Sequence, residues 1–473
     1  MFGLLKNKAT WLSLAIIVLI GSMSVVGFAN QAVYSRPTTN PTPPPPLLQN
    51  ITVQTNSTSP NPTPTPLIKK TGSVTPVTPD IVNPASSEMS IPGYSGVLVE
   101  TLDGKIVKES YSNYAFNPAS NVKIATSFAV LKTFGPEYRF QTNIFTDGEI
   151  DPTTGTLNGN LYISGRDPVF NYEHGVAIAN ALNKLGIKQV TGDLVVTNSF
   201  IMALNGSYQR SAETLFATLD ATRRSAAATR AWQEYLMASG KYSLTTGTPS
   251  VSFGGRLYVD ILPSNARLLF AHESVPLKEI VKVTMCFSNN FLAERLGDML
   301  GGAYAVSRVV QLNIGVGPEE FILQTSSGLG INRVTPRAMM RLLHTFRSEL
   351  GRYKMTFADV MPVAGVDPGT LQKRFTSFGS VGSVVGKTGT LGNTDGGASA
   401  LSGEMQTKNG KMLFVIFNQK GGTQKFRNFQ DSFVTMIQSQ NGGAASLGYS
   451  TVALPTRMSN TRIIYSNSRA GLN

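Results

Sequence analysis

The chain has 473 residues, 41% hydrophobic and 15% charged, which is enough for one to three domains with a sizeable core. Its 41 Lys+Arg exceed 28 Asp+Glu, for a formal charge of +13, yet no dense basic run with interleaved aromatics occurs, so no nucleic-acid partner is expected. A single cysteine, Cys286, excludes an internal disulfide and a cysteine-based metal centre, and the three histidines stand far apart in no metal-ligand spacing, so no metal or cofactor is expected.

Lys6 and Lys8 precede an apolar run from Trp11 to Ala29. Residues 1–29 read as a signal peptide or a membrane anchor, because a spanning helix needs roughly 17–25 residues. Either reading places the rest of the chain outside the cytoplasm, in a periplasm or cell wall. Residues 30–88 hold 13 of the 26 prolines, mixed with Thr, Ser and Asn. Such a stretch cannot bury enough apolar surface to fold and reads as an extended tether.

The folded body is predicted to start near Ile91, with a hairpin of Gly96–Glu100 and Ile106–Ser110 around Asp103-Gly104. Asn117-Pro118 reads as the cap and first position of a helix whose apolar residues run to Leu131 and stop at Gly135. Residues 142–265 differ in texture: short strand-like runs at Leu161–Ser164 and Asp193–Thr197 surround a helix at Val176–Leu185, and an Ala-rich helix covers 211–238. They read as an inserted domain between two halves of a catalytic body, 89–141 and 266–440. Helices are expected at Leu277–Phe287, Phe291–Leu300 and Pro336–Phe346. Strands are expected at Val381–Gly386, Ala398–Met405 and Met412–Phe417, then a helix at Gln424–Gln438. Residues 441–473 are Gly/Ser/Asn-rich and read as a flexible tail.

Three short strings carry the chemistry: Ser120-x-x-Lys123, Ser288-Asn289-Asn290 and Lys387-Thr388-Gly389. A serine hydroxyl is a weak nucleophile until a base takes its proton. Lysine at i+3 on a helix shares the serine's face. It serves as a base only when neutral, which burial and a second cation such as Lys387 both favour. Ser288 supplies a proton relay and Asn290 an amide for the substrate backbone. Lys387 offers positive charge to a carboxylate, and a strand at Gly389-Thr390 offers backbone N–H groups for an oxyanion hole. Each string alone is weak. A second Lys-Thr-Gly, at Lys70-Thr71-Gly72, lies in the tether with no strand around it. Order, element type and export together give the strings their force.

From Ile91 to Gln438 the chain resembles the low-molecular-mass class C penicillin-binding proteins, the D-alanyl-D-alanine carboxypeptidases/endopeptidases of the serine β-lactamase/transpeptidase-like superfamily. The resemblance rests on Asn117-Pro-Ala-Ser-Asn-Val-Lys123 and Leu131-Lys-Thr-Phe-Gly135-Pro136, then Leu157-Asn-Gly-Asn-Leu161 leading to Asp167-Pro168, and Thr191-Gly-Asp-Leu194. Further on it rests on Gly328-Leu329, Pro362-Val-Ala-Gly365, Gly369-Thr-Leu371, Arg374-Phe375, Lys387-Thr-Gly-Thr-Leu391 and Ala400-Leu-Ser-Gly403. The chain departs from the family at Thr325, where Asp is usual, at Pro368, an extra residue, and in a shorter insert.

The resemblance implies an α/β (α+β) fold with an antiparallel sheet flanked by helices and an insert between Ser120 and Ser288. It implies Ser120 as the acylated nucleophile, Lys123 as its base and Ser288 as the proton relay. Asn290, Lys387, Thr388, Gly389 and Thr390 would bind substrate, with Thr390 donating the second oxyanion N–H. Peptidoglycan stem peptides are the expected partners and β-lactam antibiotics the expected inhibitors. Alternatives are a β-lactamase or esterase on the same fold, or a non-catalytic wall-binding protein.

Overall fold

The computed structural model describes residues 89–242, 247–377 and 379–466. The expected leader at 1–29 and tether at 30–88 lie outside them. No helix among the described residues is long and apolar enough to cross a membrane.

The described residues open with strands β1 (Ser95–Thr101) and β2 (Ile106–Ser110), then helix α1 (Val122–Phe134). The insert follows: β3 (Gln141–Thr146), β4 (Leu161–Gly165), α2 (Tyr172–Lys184), β5 (Leu194–Val196), α3 (Tyr208–Leu219), α4 (Ala226–Ala238), β6 (Leu257–Val259) and β7 (Arg267–Glu273). A helical block comes next: α5 (Leu277–Phe287), α6 (Asn290–Asp298), α7 (Ala303–Ile314) and α8 (Pro336–Arg352). Then come β8 (Val384–Leu391), β9 (Ala398–Thr407), β10 (Gly410–Gln419), α9 (Thr423–Gln440), α10 (Leu454–Met458) and β11 (Arg462–Tyr465).

The catalytic sheet is antiparallel in the order β8-β9-β10-β1-β2, which leaves β8 at an edge. Both faces are covered, so Met412–Phe417 of β10 is an unbroken apolar run. Leu413, Val415 and Phe417 pack with Phe128, Met285 and Phe346 on the helical side. Met412, Phe414 and Ile416 alternate to the other face, against Phe429, Phe433 and Ile437 of α9. Residues 122–131 of α1 are all buried, the polar Lys123, Thr126 and Ser127 among them.

The insert carries its own core of Ile144, Ile163, Ile178, Val196 and Leu215, beneath a mixed sheet ordered β6-β5-β4-β3-β7-β11. Its first and last long strands, β3 and β7, pair antiparallel, so the chain leaves and rejoins the catalytic body at one place.

The structure corrects several expectations. The Ala-rich stretch is two helices, not one. Asp220 is extended there, and the Ser225 hydroxyl restarts the helix by accepting from Ala228 N–H. Strand β7, expected within the catalytic body, belongs by its hydrogen bonds to the insert's sheet. The strand expected at 381–386 runs instead from Val384 to Leu391, so Lys387-Thr388-Gly389 lies within it. The tail expected at 441–473 is ordered through Ser466 among the described residues. Its strand β11 pairs with β7, Phe270 lying opposite Tyr465, because β7 otherwise leaves an open sheet edge.

Candidate active site

Asn117 does not cap the helix in the simple way the sequence suggests. Its Oδ1 accepts from Ala119 N–H at 3.0 Å, and a 3-10 turn, Ala119–Asn121, precedes α1. Ala119 takes a left-handed conformation, φ 45°. This turn lifts Ser120 to the head of the helix, while Lys123 falls in its first turn. Lys123 Nζ lies 3.2 Å from Ser120 Oγ, 2.7 Å from Asn290 Oδ1 and 2.6 Å from Ser327 O. Lys123 is fully buried, and burial lowers its pKa to about 7 against a weaker upward pull from Glu294. Burial, and not a second ammonium, is the main cause.

The second string sits on the break between α5 and α6. Ser288 ends α5 in a left-handed conformation, φ 53° and ψ 40°. Asn289 then caps α6, its side chain accepting from Leu292 N–H at 3.0 Å. Non-glycine residues in this region are strained and persist where surrounding structure holds them. Here the strain turns the chain so that Ser288 and Asn290 both point at lysines. Lys387 Nζ donates to Ser288 Oγ at 2.9 Å and to Thr388 O at 2.6 Å. Asn290 uses its Oδ1 on Lys123, which leaves its Nδ2 as the group that can meet a substrate.

The third string lies on β8, the edge strand of the sheet. Gly386 N–H donates to Pro362 O, on the side away from β9. Strand alternation sends the N–H groups of Thr388 and Thr390 the same way. Gly389 lets the strand approach the nucleophile turn: a Cβ there would stand 2.8 Å from Pro118 O and 3.0 Å from Ser120 N. Asn121 Nδ2 ties the two elements together by donating to Lys387 O at 3.0 Å. All three strings therefore meet around Ser120.

Some of the machinery is invisible in the strings. The segment 326–328 forms the floor under Lys123. Glu294 of α6 accepts from Ser326 N–H at 3.1 Å and Ser327 N–H at 3.0 Å, which aims Ser327 O at Lys123. Thr126 Oγ1 donates to Ser326 O at 2.7 Å. Gly328, φ 89°, is required because a Cβ would stand 2.0 Å from Ala119 O. Asn117 also donates to Asp395 Oδ2 at 2.7 Å, and Asp395 pairs with Arg333. A lone glutamate on a helix face gives no sequence signal for such a role. Cys286, two residues before Ser288, is buried as expected, and burial pushes its thiol up to about 12.

The profile of the D-Ala-D-Ala carboxypeptidase 3 (S13) family matches residues 90–213 and 202–440. The chain is 24% identical over 451 residues to a D-alanyl-D-alanine carboxypeptidase of Actinomadura sp. (strain R39), covering 74% of this chain and 82% of the relative. It is 23% identical over 414 residues to D-alanyl-D-alanine carboxypeptidase DacB of Haemophilus influenzae, covering 68% and 84%. Two solved structures share the fold. A penicillin G-acylated predatory endopeptidase from Bdellovibrio bacteriovorus, in complex with an immunity protein, has a TM-score of 0.66 at 21% identity, covering 79% of this chain and 99% of that one. Penicillin-binding protein 4 of Haemophilus influenzae, complexed with a β-lactam, has a TM-score of 0.54 at 21% identity, covering 73% and 96%. With the three strings converged on one serine and the profile spanning the folded body, the chain belongs to the D-Ala-D-Ala carboxypeptidase 3 (S13) family.

Proposed function

We propose that this chain is a penicillin-binding serine D-alanyl-D-alanine carboxypeptidase/endopeptidase acting on peptidoglycan peptides through an acyl-enzyme on Ser120. The observation that carries this reading is the Lys123 amine, buried, drawn down to about 7 and 3.2 Å from Ser120 Oγ. The neutral amine takes the Ser120 proton as Oγ attacks the carbonyl of the penultimate D-alanine. The oxyanion that forms is held by the N–H groups of Ser120 and Thr390, one on the helix head and one on the strand edge. Ser288, hydrogen-bonded to Lys387, passes its proton to the leaving nitrogen and takes up the one Lys123 received, so both groups return to their starting forms. The C–N bond breaks and terminal D-alanine departs. Water then attacks the ester in a second passage through the same groups, releasing the shortened peptide and restoring Ser120.

Asn290 Nδ2 and the Thr388 segment hold the peptide backbone in this scheme. Related structures acylated or bound by β-lactams support Ser120 as the residue those drugs modify. The apolar run from Trp11 to Ala29 supports export and work outside the cytoplasm, with anchoring through residues 11–29 if the segment is retained.

Mass spectrometry after incubation with a labelled penicillin tests the assignment. The adduct is expected on Ser120. Ser120→Ala is expected to remove both the adduct and D-alanine release, the latter by about 10⁴–10⁶-fold. An adduct that survives this substitution would overturn the proposal.

A further inference from the structure

Lys387 is poorly placed to meet a substrate carboxylate. It is fully enclosed, and its Nζ is committed to Ser288 Oγ and Thr388 O. Burial first, and the Lys123 charge second, hold its pKa well below the ordinary lysine range. A permanent cation stands instead on the opposite face of the same strand. Val385 belongs to the core on the helical side, and Gly389 faces the nucleophile turn. Val384 belongs to the core shared with α9, so by alternation Thr388 and Thr390 also turn toward α9. There Arg427 Nη2 donates to Thr390 Oγ1 at 3.0 Å. That hydroxyl already donates to Gly389 O at 2.8 Å, so Arg427 supplies the donors at this end of the strand.

Arg427 is exposed, and unlike Arg333, Arg374 and Arg457 it pairs with no carboxylate among the described residues. An unpaired guanidinium beside an oxyanion strand is a planar, permanently charged fork that fits a carboxylate better than an ammonium does. A peptide lying along the β8 edge pairs with the outward N–H groups of Thr388 and Thr390. The residue beyond its scissile bond then lies beside the Thr390 hydroxyl.

We propose that Arg427, held by Thr390, recognises the carboxylate of the leaving residue and so selects peptides whose scissile nitrogen carries a neighbouring free carboxylate. The inference rests on the acyl-enzyme reading of Ser120. It makes Arg427 a determinant of specificity, and it leaves Lys387 to the proton relay. Free D-alanine termini satisfy it. So do cross-links whose leaving residue keeps its carboxylate next to the nitrogen.

The test compares two acetylated peptides, one ending in D-alanyl-D-alanine and the other in D-alanyl-D-alaninamide, in the wild type, Arg427→Gln and Arg427→Lys. The wild type is expected to prefer the carboxylate. Arg427→Gln is expected to lower kcat/KM for the carboxylate peptide by about 10–100-fold, as for loss of a charged hydrogen bond, and to change the carboxamide by less than about 3-fold. Arg427→Lys is expected to recover part of the preference. Equal losses on both peptides would make Arg427 a structural support, and no loss on either would return the carboxylate to Lys387. Each of those results overturns the proposal, as does a wild type indifferent to the terminus. Failure of penicillin to acylate Ser120 in the wild type is a separate result, and it would overturn the reading beneath.

Discussion

Lys123 accepts a proton only as a neutral amine, and its surroundings set when that form is present. Burial removes water from the ammonium, while Asn290 Oδ1 and Ser327 O still hold it by hydrogen bonds. The loss of solvation, against a weaker upward pull from Glu294, brings its pKa to about 7. Below that value the charged form dominates and the base is lost. Penicillin acylation of Ser120 is therefore expected to rise about tenfold per pH unit up to about pH 7 and then to level off. Stopped-flow acylation rates across pH 5–9 check this. A profile that stays flat through pH 7 would remove Lys123 from the role of base. Glu294 pulls the other way, favouring the charged form, while its two oxygens shape the segment beneath Lys123. One carboxylate thus fixes the geometry at some cost to the share of neutral amine.

Helix α5 must end at one place for Ser288 to meet Lys387. Two contacts fix that end. Thr370 N–H donates to Cys286 O at 3.0 Å, and Gly369, φ 112°, packs there because a Cβ would stand 2.0 Å from the same oxygen. Farther back, Lys282 is buried with Asp367 at 2.6 Å and also donates to Ala358 O and Met361 O. Asp367 in turn accepts from Val363 N–H, Tyr449 OH and Thr451 Oγ1. Every donor and acceptor in this knot is used, which is the condition for a buried ion pair to be tolerated. Asp367→Ala is expected to lower stability by about 3–5 kcal/mol, because it strands a buried ammonium. Pairing it with Lys282→Met is expected to recover most of that. Chemical denaturation of the single and double variants measures both. A single variant as stable as the wild type would show that the knot carries no weight.

The segment after α9 joins the two halves of the molecule. Tyr449 and Thr451 reach Asp367, and Arg457 pairs with Glu279 of α5 at 2.7 Å. Thr461 bonds to Tyr235 OH of α4, and Arg139 bridges Ser274 O and Asn460 O. Strand β11 then closes the edge of the insert's sheet. The segment is a strap from the catalytic helices to the insert. Ending the chain after Gly448 is expected to lower the melting temperature by several degrees, at about 2–4 °C per kcal/mol lost. Faster amide exchange in β7 should accompany it, since that strand loses its outer partner. Unchanged exchange in β7 would contradict the strap.

The sequence by itself determined the local elements and the chemical identities. The helices at Leu277–Phe287 and after Pro336, and the strands carrying Ala398–Met405 and Met412–Phe417, are legible because apolar periodicity and turn residues act over a few positions. Ser120 with Lys123 is legible for the same reason, since the i+3 spacing is a local fact of helix geometry. Tertiary structure decided what depends on partners far along the chain. It turned the expected tail into a strap, because an edge strand's place is set by the open edge it finds. It moved β7 into the insert and split the Ala-rich helix, since hydrogen-bond ladders and packing override local propensity. It placed Glu294 and Ser327 beneath Lys123 and closed Lys387 in against Ser288 Oγ and Thr388 O. Burial and neighbouring dipoles set a lysine's charge, and neither is written in the three residues around it.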